Sequence, residues 1–141
     1  MIYVDTGTLV ALIVNEPHSA AVAAWYARTK GSLVSAVWCV TEFASALGIK
    51  QRTGQLDPAQ AETAWVTFGR LAANDLQLLP LEAAHFHRAA VMVLDASSSL
   101  RAGDALHLAC AEHAGAKSIA TLDEVMARHA MKLKIKPVSF H

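Results

Sequence analysis

The sequence predicts an α/β protein in which one short parallel β-sheet carries helices on both faces. Short apolar runs typical of buried strands alternate along the chain with longer segments of helical periodicity, which is the pattern of parallel sheets. The 141 residues suit one domain, assigned to residues 1–141. With 54% hydrophobic and 17% charged residues, the chain can bury enough apolar surface to offset its conformational entropy, so disorder is excluded.

The first half of the chain predicts two strands and four helices. Ile2–Val4 is β-branched and aromatic, as buried strands are, and residues 33–35 form the second candidate strand. Helical spacing covers residues 8–14, 19–29 and 37–50. Asp57 and Pro58 open the fourth helix, because proline favours the first helical position.

The second half continues the same alternation. Residues 76–79 form a candidate strand that Pro80 ends, and the segment 95–99 is a serine-rich loop. Helices are predicted at residues 82–94, 102–113 and 122–130. The last two candidate strands are residues 118–121 and 138–140.

Composition and charge narrow the classes of function. Twelve basic residues balance twelve acidic ones. The chain therefore lacks the strongly basic character of a protein that binds duplex DNA. Cys39 and Cys110 lie in apolar helical sequence, so we expect buried free thiols and a reducing cytoplasm. The apolar stretch 7–14 is far shorter than the ~20 residues of a membrane span, and no basic flank precedes it. We expect a soluble, cytoplasmic protein with no membrane contact.

Four carboxylates fall where the chemistry of an α/β protein is usually found. Asp5 and Asp123 follow predicted strands, Asp104 begins a helix, and Glu42 lies inside an apolar helix. Asp5 and Glu42 are each the only charged residue in a long apolar stretch, and an uncompensated buried charge is costly. Converging carboxylates without nearby Lys or Arg repel each other unless a divalent cation neutralises them. Oxygen ligands select Mg²⁺ or Mn²⁺.

Each carboxylate also has an ordinary structural explanation. Asp5 can cap the following helix, and Asp104 can pair with Arg101. Residues 121–124 match a capping box in which Thr121 is the cap, Glu124 reaches back and Asp123 favours the helix dipole. Glu42 has no capping role, because it lies in the middle of a helix.

The motifs around these residues resemble the PIN-domain ribonucleases, with the closest likeness to VapC-type toxins of type II toxin–antitoxin pairs. The resemblance spans nearly the whole chain in the right order. It is carried by residues 2–6, by Glu42 in Thr-Glu-Phe-Ala-Ser-Ala, by residues 100–109 with their Arg-x-x-Asp-Ala-x-His block, and by residues 120–123. Gly103 departs from the family, where a larger residue is common before the third Asp.

The resemblance implies a PIN-like fold and assigns the site. Asp5, Glu42, Asp104 and Asp123 match the family's acidic quartet, and Thr6 and Thr121 match hydroxyls that line the same pocket. It implies an endoribonuclease that leaves 5′-phosphate and 3′-hydroxyl ends. It also implies a homodimer and a cognate antitoxin of the VapB type, through which any DNA contact is made.

Other residues remain open between two interpretations. Arg101 can hold a substrate phosphate or pair with a site carboxylate. The lysines near the carboxyl terminus alternate, as on one face of an exposed edge strand: Lys132, Lys134 and Lys136. They either protect the edge of the sheet from pairing with another strand or bind the backbone of RNA. Of the seven histidines, His107 is interpreted as a structural group within the helix layer, because no zinc-ligand spacing surrounds it.

The sequence therefore predicts a metal-dependent endoribonuclease in which Asp5 and Asp104 bind Mg²⁺ or Mn²⁺, with Glu42 and Asp123 in support. One alternative is a haloacid-dehalogenase-like phosphatase with Asp5 as nucleophile, although the spacing of its loop fails by one residue. Another is a catalytically silent PIN-fold binding module. The three tryptophan-bearing helices are the expected places for a partner to cover apolar surface.

Overall fold

The predicted architecture is confirmed by a computed structural model that describes residues 1–141. The strands are β1 (Ile2–Val4), β2 (Leu33–Ala36), β3 (Leu76–Leu79), β4 (Ser118–Ala120) and β5 (Lys136–Pro137). The helices are α1 (Thr6–Ile13), α2 (Ser19–Arg28), α3 (Trp38–Arg52), α4 (Pro58–Asn74), α5 (Ala83–Leu94), α6 (Ala102–Ala114) and α7 (Glu124–Lys132). One turn of 3₁₀ helix, Ala96–Ser98, lies within the predicted serine loop.

All strand pairs are parallel, and the sheet order is β3-β2-β1-β4-β5. The central strand β1 pairs with β2 on one side and with β4 on the other, so the chain changes direction across the sheet at β1. In open α/β sheets the reactive crevice lies at such a switch point, beyond the carboxyl ends of the strands. Residues that follow β1 and β4 are therefore placed side by side.

The two faces of the sheet each carry an apolar core. The larger core holds Tyr3 together with side chains of α5, α6 and α7. The second holds Val4 together with side chains of α1, α2, α3 and α4, where the rings of Phe43 and Phe68 stack with centroids 4.4 Å apart. Successive residues of β1 thus enter opposite cores, as the two-residue period of a strand requires.

The predicted last strand, residues 138–140, is wrong in position. The paired residues are Lys136–Pro137, and only the N–H of Val138 still donates to the sheet, to the carbonyl of Ile119 at 2.9 Å. Phe140 instead packs edge-on against Trp25, with ring centroids 5.5 Å apart. This contact with α2, and not strand pairing, explains why an apolar residue lies at position 140.

The predicted lysine face is also wrong. Lys132 ends α7, Lys134 has a left-handed backbone with φ of 63°, and only Lys136 lies in a strand. The N–H of Lys134 donates to the carbonyl of Met131 at 3.0 Å, which makes the segment a turn at the end of α7. Alternating lysines therefore follow a helix end here, and they do not share one strand face.

Cys39 and Cys110 are free and buried, as predicted. None of the helices combines the length and apolar character needed to cross a membrane.

The start of α4 is fixed by a capping box, which offers a small test of the fold. The Asp57 carboxylate accepts from the N–H of Gln60 at 2.8 Å, and the Gln60 side chain accepts from the N–H of Asp57 at 2.9 Å. We expect Asp57→Ala to lower the free energy of unfolding by about 1 kcal/mol, because an N-cap carboxylate satisfies an otherwise unpaired N–H. Urea unfolding followed by circular dichroism measures this. Glu62→Ala, on the exposed face of the same helix, is the control, and equal midpoints for both variants would contradict the prediction.

Candidate active site

The structure brings the four predicted carboxylates to one edge of the sheet. Asp5 follows β1 and caps α1, while Asp123 follows the neighbouring strand β4 and caps α7. Asp104 lies in the first turn of α6, and Glu42 lies one turn into α3. The pKa of Asp104 is raised by burial and further by the charges of Asp123, Asp5 and Glu42, so all four groups interact electrostatically.

Asp5 serves as a helix cap and as a site residue at the same time. It is 4% exposed, and its Oδ1 accepts from the N–H and the hydroxyl of Thr8 at 2.9 and 2.7 Å. Its Oδ2 accepts from the Thr121 hydroxyl at 2.5 Å. Burial raises the pKa of Asp5, and the hydrogen bonds from Thr121 and Thr8 offset part of that rise. The predicted capping role is therefore present, and it holds the carboxylate in the crevice.

Thr121 links Asp5 to Asp123, which corrects the predicted capping box. The strand ends at Ala120, and the cap of α7 is Asp123, whose side chain accepts from the N–H of Met126 at 2.9 Å. The Thr121 hydroxyl accepts from the N–H of Asp123 at 3.1 Å while it donates to Asp5. One hydroxyl thus ties the ends of two neighbouring strands together.

Glu42 is held by donors that local sequence does not reveal. Its Oε1 accepts from the Thr6 hydroxyl at 2.7 Å and also contacts Nε2 of His107. Nδ1 of His107 lies 2.6 Å from the hydroxyl of Tyr3. Burial raises the pKa of Glu42, but the hydrogen bonds from His107 and Thr6 outweigh it and leave the pKa lowered. Glu42 is therefore ionised at neutral pH.

His107 was missed as a site residue by sequence reasoning. Its side chain is 2% exposed, and its contacts lead to Glu42 and not only into the helix layer. The one local signal is that His107 follows Asp104 by three residues, which places both on one side of α6. Its partners lie 65 and 104 residues away in the sequence, so a single sequence gives no means of pairing them.

Asp104 is the carboxylate with no partner of its own. It accepts no hydrogen bond and forms no ion pair, although it is only partly exposed. Arg101 is exposed at the start of α6 and forms no salt bridge, so the predicted alternative of an Arg101–Asp104 pair is not found. The only ion pairs of Lys or Arg are Lys50–Glu16 and Arg88–Glu112, and neither includes a site residue.

Gly103 gives Glu42 the room that a side chain would take. A Cβ at this position would lie 3.0 Å from Oε2 of Glu42 and 3.5 Å from Nε1 of Trp38. The indole Nε1 of Trp38 is buried without a hydrogen-bond partner of good geometry, and it faces the same carboxylate. The absence of a side chain at Gly103 thus leaves room for both Glu42 and Trp38 on this side of the site.

A groove of about 480 Å³ leads to Glu42 between α1 and α3. It is lined by Thr6, Gly7, Val10, Trp38, Thr41, Glu42, Ser45, Ala46 and Ile49. Of the four carboxylates, only Glu42 lines this groove.

The carboxylates do not form a closed cage for a cation. No three His, Cys, Asp or Glu side chains lie close enough to enclose a metal ion. Mg²⁺ usually keeps several waters and is bound by only one or two carboxylates together with substrate phosphates. The four side chains fit such an open site, because they offer only oxygen donors and Asp104 has unused acceptor capacity.

Comparison with known proteins identifies the family. The PIN domain matches residues 2–132, and a search of curated proteins finds no match. Among solved structures, the chain resembles VapC20 of Mycobacterium tuberculosis, a sarcin–ricin loop cleaving toxin (TM-score 0.75, 12% identity, 92% of this chain and 95% of that chain). It also resembles FitAcB from Neisseria gonorrhoeae (0.67, 18%, 99% and 98%) and PAE2754 from Pyrobaculum aerophilum (0.65, 22%, 97% and 83%). At these identities the structures share the fold, and since the family match covers nearly the whole chain, this protein belongs to the PIN domain family.

Proposed function

We propose that this protein is a metal-dependent endoribonuclease and the toxin of a toxin–antitoxin pair. The observation that carries the proposal is the cluster of four carboxylates at the crevice of a PIN fold, with no Lys or Arg paired to any of them. Clustered carboxylates without a paired Lys or Arg favour the binding of a divalent cation. VapC20 is a toxin that cleaves the sarcin–ricin loop, and this supports a toxin role for its structural relative.

Asp104 and Asp5 are the proposed ligands of Mg²⁺ or Mn²⁺, with Glu42 and Asp123 in support. When bound, such an ion lowers the pKa of a bound water and offsets charge on the phosphate oxygens during in-line attack. Asp104 offers both oxygens, while Oδ2 of Asp5 accepts only from Thr121 and keeps acceptor capacity; Oδ1 of Asp5 already accepts two hydrogen bonds from Thr8. The dehalogenase-like alternative loses its support, because the family model that matches the chain is the PIN domain.

The hydroxyls of the site position carboxylates. Thr6 donates to Glu42 and Thr121 donates to Asp5, so neither has a proton left for a substrate phosphate. We therefore assign Thr6 and Thr121 to orienting the acidic groups. Arg101, exposed three residues before Asp104 in the sequence and free of an ion pair, is the residue we assign to the phosphate.

The partners proposed are single-stranded RNA, a VapB-type antitoxin and a second copy of the chain, in the cytoplasm. The neutral net charge fits an RNA that contacts only a small groove. Three of the exposed large apolar side chains lie on α5, where Leu94 is 81%, Val91 60% and Phe86 51% exposed. Trp25, by contrast, is buried within the chain, and Trp65 is 43% exposed. We propose α5 as a face covered in the dimer, and light scattering that shows a monomer at high micromolar concentration would contradict it.

The test of the activity uses total cellular RNA and the purified protein. We expect fragments with 5′-phosphate ends in millimolar Mn²⁺, and we expect EDTA to abolish cleavage until Mn²⁺ is restored in excess. RNA that stays intact at all metal concentrations would make the protein a silent PIN-fold binding module. Hydrolysis of p-nitrophenyl phosphate without cleavage of RNA would instead indicate a phosphatase.

Gly103 offers a further prediction with a matched control. We expect Gly103→Ala to lower cleavage about tenfold, since the new methyl group displaces Oε2 of Glu42 and small displacements of reacting groups are costly. In Gly69→Ala, within α4, the added Cβ meets nothing within 4 Å. That variant should cleave normally and gain about 0.5–1 kcal/mol of stability from helix propensity. Equal cleavage by both variants would show that the active position of Glu42 does not depend on the absence of a side chain at Gly103.

A further inference from the structure

We infer that Tyr3 and His107 form a positioning pair that fixes Glu42 for metal binding, an inference that rests on the proposed function. Neither residue belongs to the acidic cluster, and neither can touch an ion through the atoms it uses here. Their role is to decide which oxygen of Glu42 is free and where that oxygen points.

The pair is anchored in the centre of the sheet. The backbone N–H of Ala36, in β2, donates to the hydroxyl oxygen of Tyr3 at 3.0 Å. Tyr3 lies in the adjacent strand β1, is fully buried, and places its hydroxyl 2.6 Å from Nδ1 of His107. The two rings pack edge-on, with centroids 5.7 Å apart and planes at 70°. The imidazole is therefore fixed by two neighbouring strands and has little room to turn.

The hydrogen bonds run in one direction along the chain of groups. A carboxylate only accepts, so Nε2 of His107 carries the proton that is donated to Oε1 of Glu42. Nδ1 is then the acceptor for the hydroxyl of Tyr3, whose oxygen accepts from Ala36. This tautomer is assigned from the network, and it leaves every buried polar atom of the pair satisfied.

The consequence for Glu42 is that its two oxygens have different roles. Oε1 accepts from both His107 and Thr6, whereas Oε2 faces Gly103 on α6, next to Asp104. Without His107 the carboxylate would be held on Oε1 by the hydroxyl of Thr6 alone and could rotate. Groups that orient a metal ligand in this way typically change metal affinity by about 10–100-fold when they are removed.

The experiment measures Mn²⁺ binding to the RNA-free protein by electron paramagnetic resonance of free Mn²⁺. His107→Leu removes the donor, and we expect the Kd for Mn²⁺ to rise by about 10–100-fold. His107→Gln keeps an N–H that can reach Oε1, so it should recover most of that loss. Recovery by a donor of different shape is a result that a role in packing alone would not give.

A matched pair of tyrosine variants isolates the hydroxyl. Tyr3→Phe should raise the Kd by about twofold to tenfold, the worth of one hydrogen bond. Tyr26→Phe makes the same chemical change on α2, where the hydroxyl donates to Asp75 at 2.9 Å, and should leave Mn²⁺ binding unchanged. Melting temperatures are recorded alongside, so that any loss of fold is separated from loss of binding.

The outcomes distinguish the inference from the proposed function. If folded Tyr3→Phe and His107→Leu bind Mn²⁺ as tightly as the wild type, the positioning role is wrong and the nuclease proposal stands. If the wild type neither binds Mn²⁺ nor cleaves RNA, the nuclease proposal itself fails, and the positioning role fails with it. Should His107→Leu not fold, Tyr3→Phe carries the test, and a wild-type affinity for Mn²⁺ in that variant would overturn the inference.

Discussion

Asp104→Asn is expected to lower RNA cleavage by about 10²–10³-fold and to leave the fold intact. Asp104 accepts no hydrogen bond and pairs with no cation, so its charge holds no part of the structure together. An amide keeps the shape of the side chain but removes the charge that would attract a divalent ion. The loss of one electrostatic group from a reaction centre typically costs a factor of this size.

Cleavage of a labelled RNA under single-turnover conditions in saturating Mn²⁺ measures the effect. The control is Asp75→Asn, which makes the same change just before β3, at the opposite edge of the sheet. Circular dichroism of both variants checks the fold. Cleavage by Asp104→Asn within about twofold of the wild type would remove Asp104 from the reaction. Asp5→Asn should also abolish cleavage, but it changes a helix cap at the same time and is therefore the less specific test.

The positions of the acidic residues were predictable because they follow from topology. Parallel strands place their carboxyl ends at one edge, so Asp5, directly after β1, and Asp123, three residues after the end of β4, had to lie near each other. Glu42 stood out as a lone charge in an apolar helix. Its side chain is indeed half-buried and compensated by other parts of the fold, as the absence of a basic neighbour in sequence required.

The groups that compensate these charges could not be predicted, because each depends on a contact between distant segments. Tyr3 and His107 look like ordinary core residues until β1, α3 and α6 are brought together. Gly103 looks like a weak helix start until Oε2 of Glu42 is placed beside it. The predicted strand at residues 138–140 fails for the same reason, because Phe140 packs on Trp25, a residue far away in the sequence.

Asp104→Asn is also expected to stabilise the protein in the absence of metal, whereas most substitutions destabilise a folded protein. Burial and the charges of Asp123, Asp5 and Glu42 raise the pKa of Asp104. A carboxyl whose pKa is higher in the folded than in the unfolded state binds more protons when folded. The free energy of unfolding therefore falls as pH rises through the raised pKa of Asp104, and the ionised group destabilises the fold at neutral pH.

Thermal melting of the wild type and Asp104→Asn, each in EDTA and in millimolar Mn²⁺, tests this prediction. In EDTA at neutral pH the variant should melt about 2–4 °C higher, and the difference should shrink as pH falls through the raised pKa of Asp104, where the wild-type carboxyl becomes neutral. Mn²⁺ should raise the melting temperature of the wild type more than that of the variant, because an ion bound only by the folded state stabilises by mass action. If the carboxylates serve only as caps, the variant will melt no higher than the wild type in EDTA. Mn²⁺ will then shift both proteins equally, and the shared metal site on which the nuclease proposal depends will be excluded.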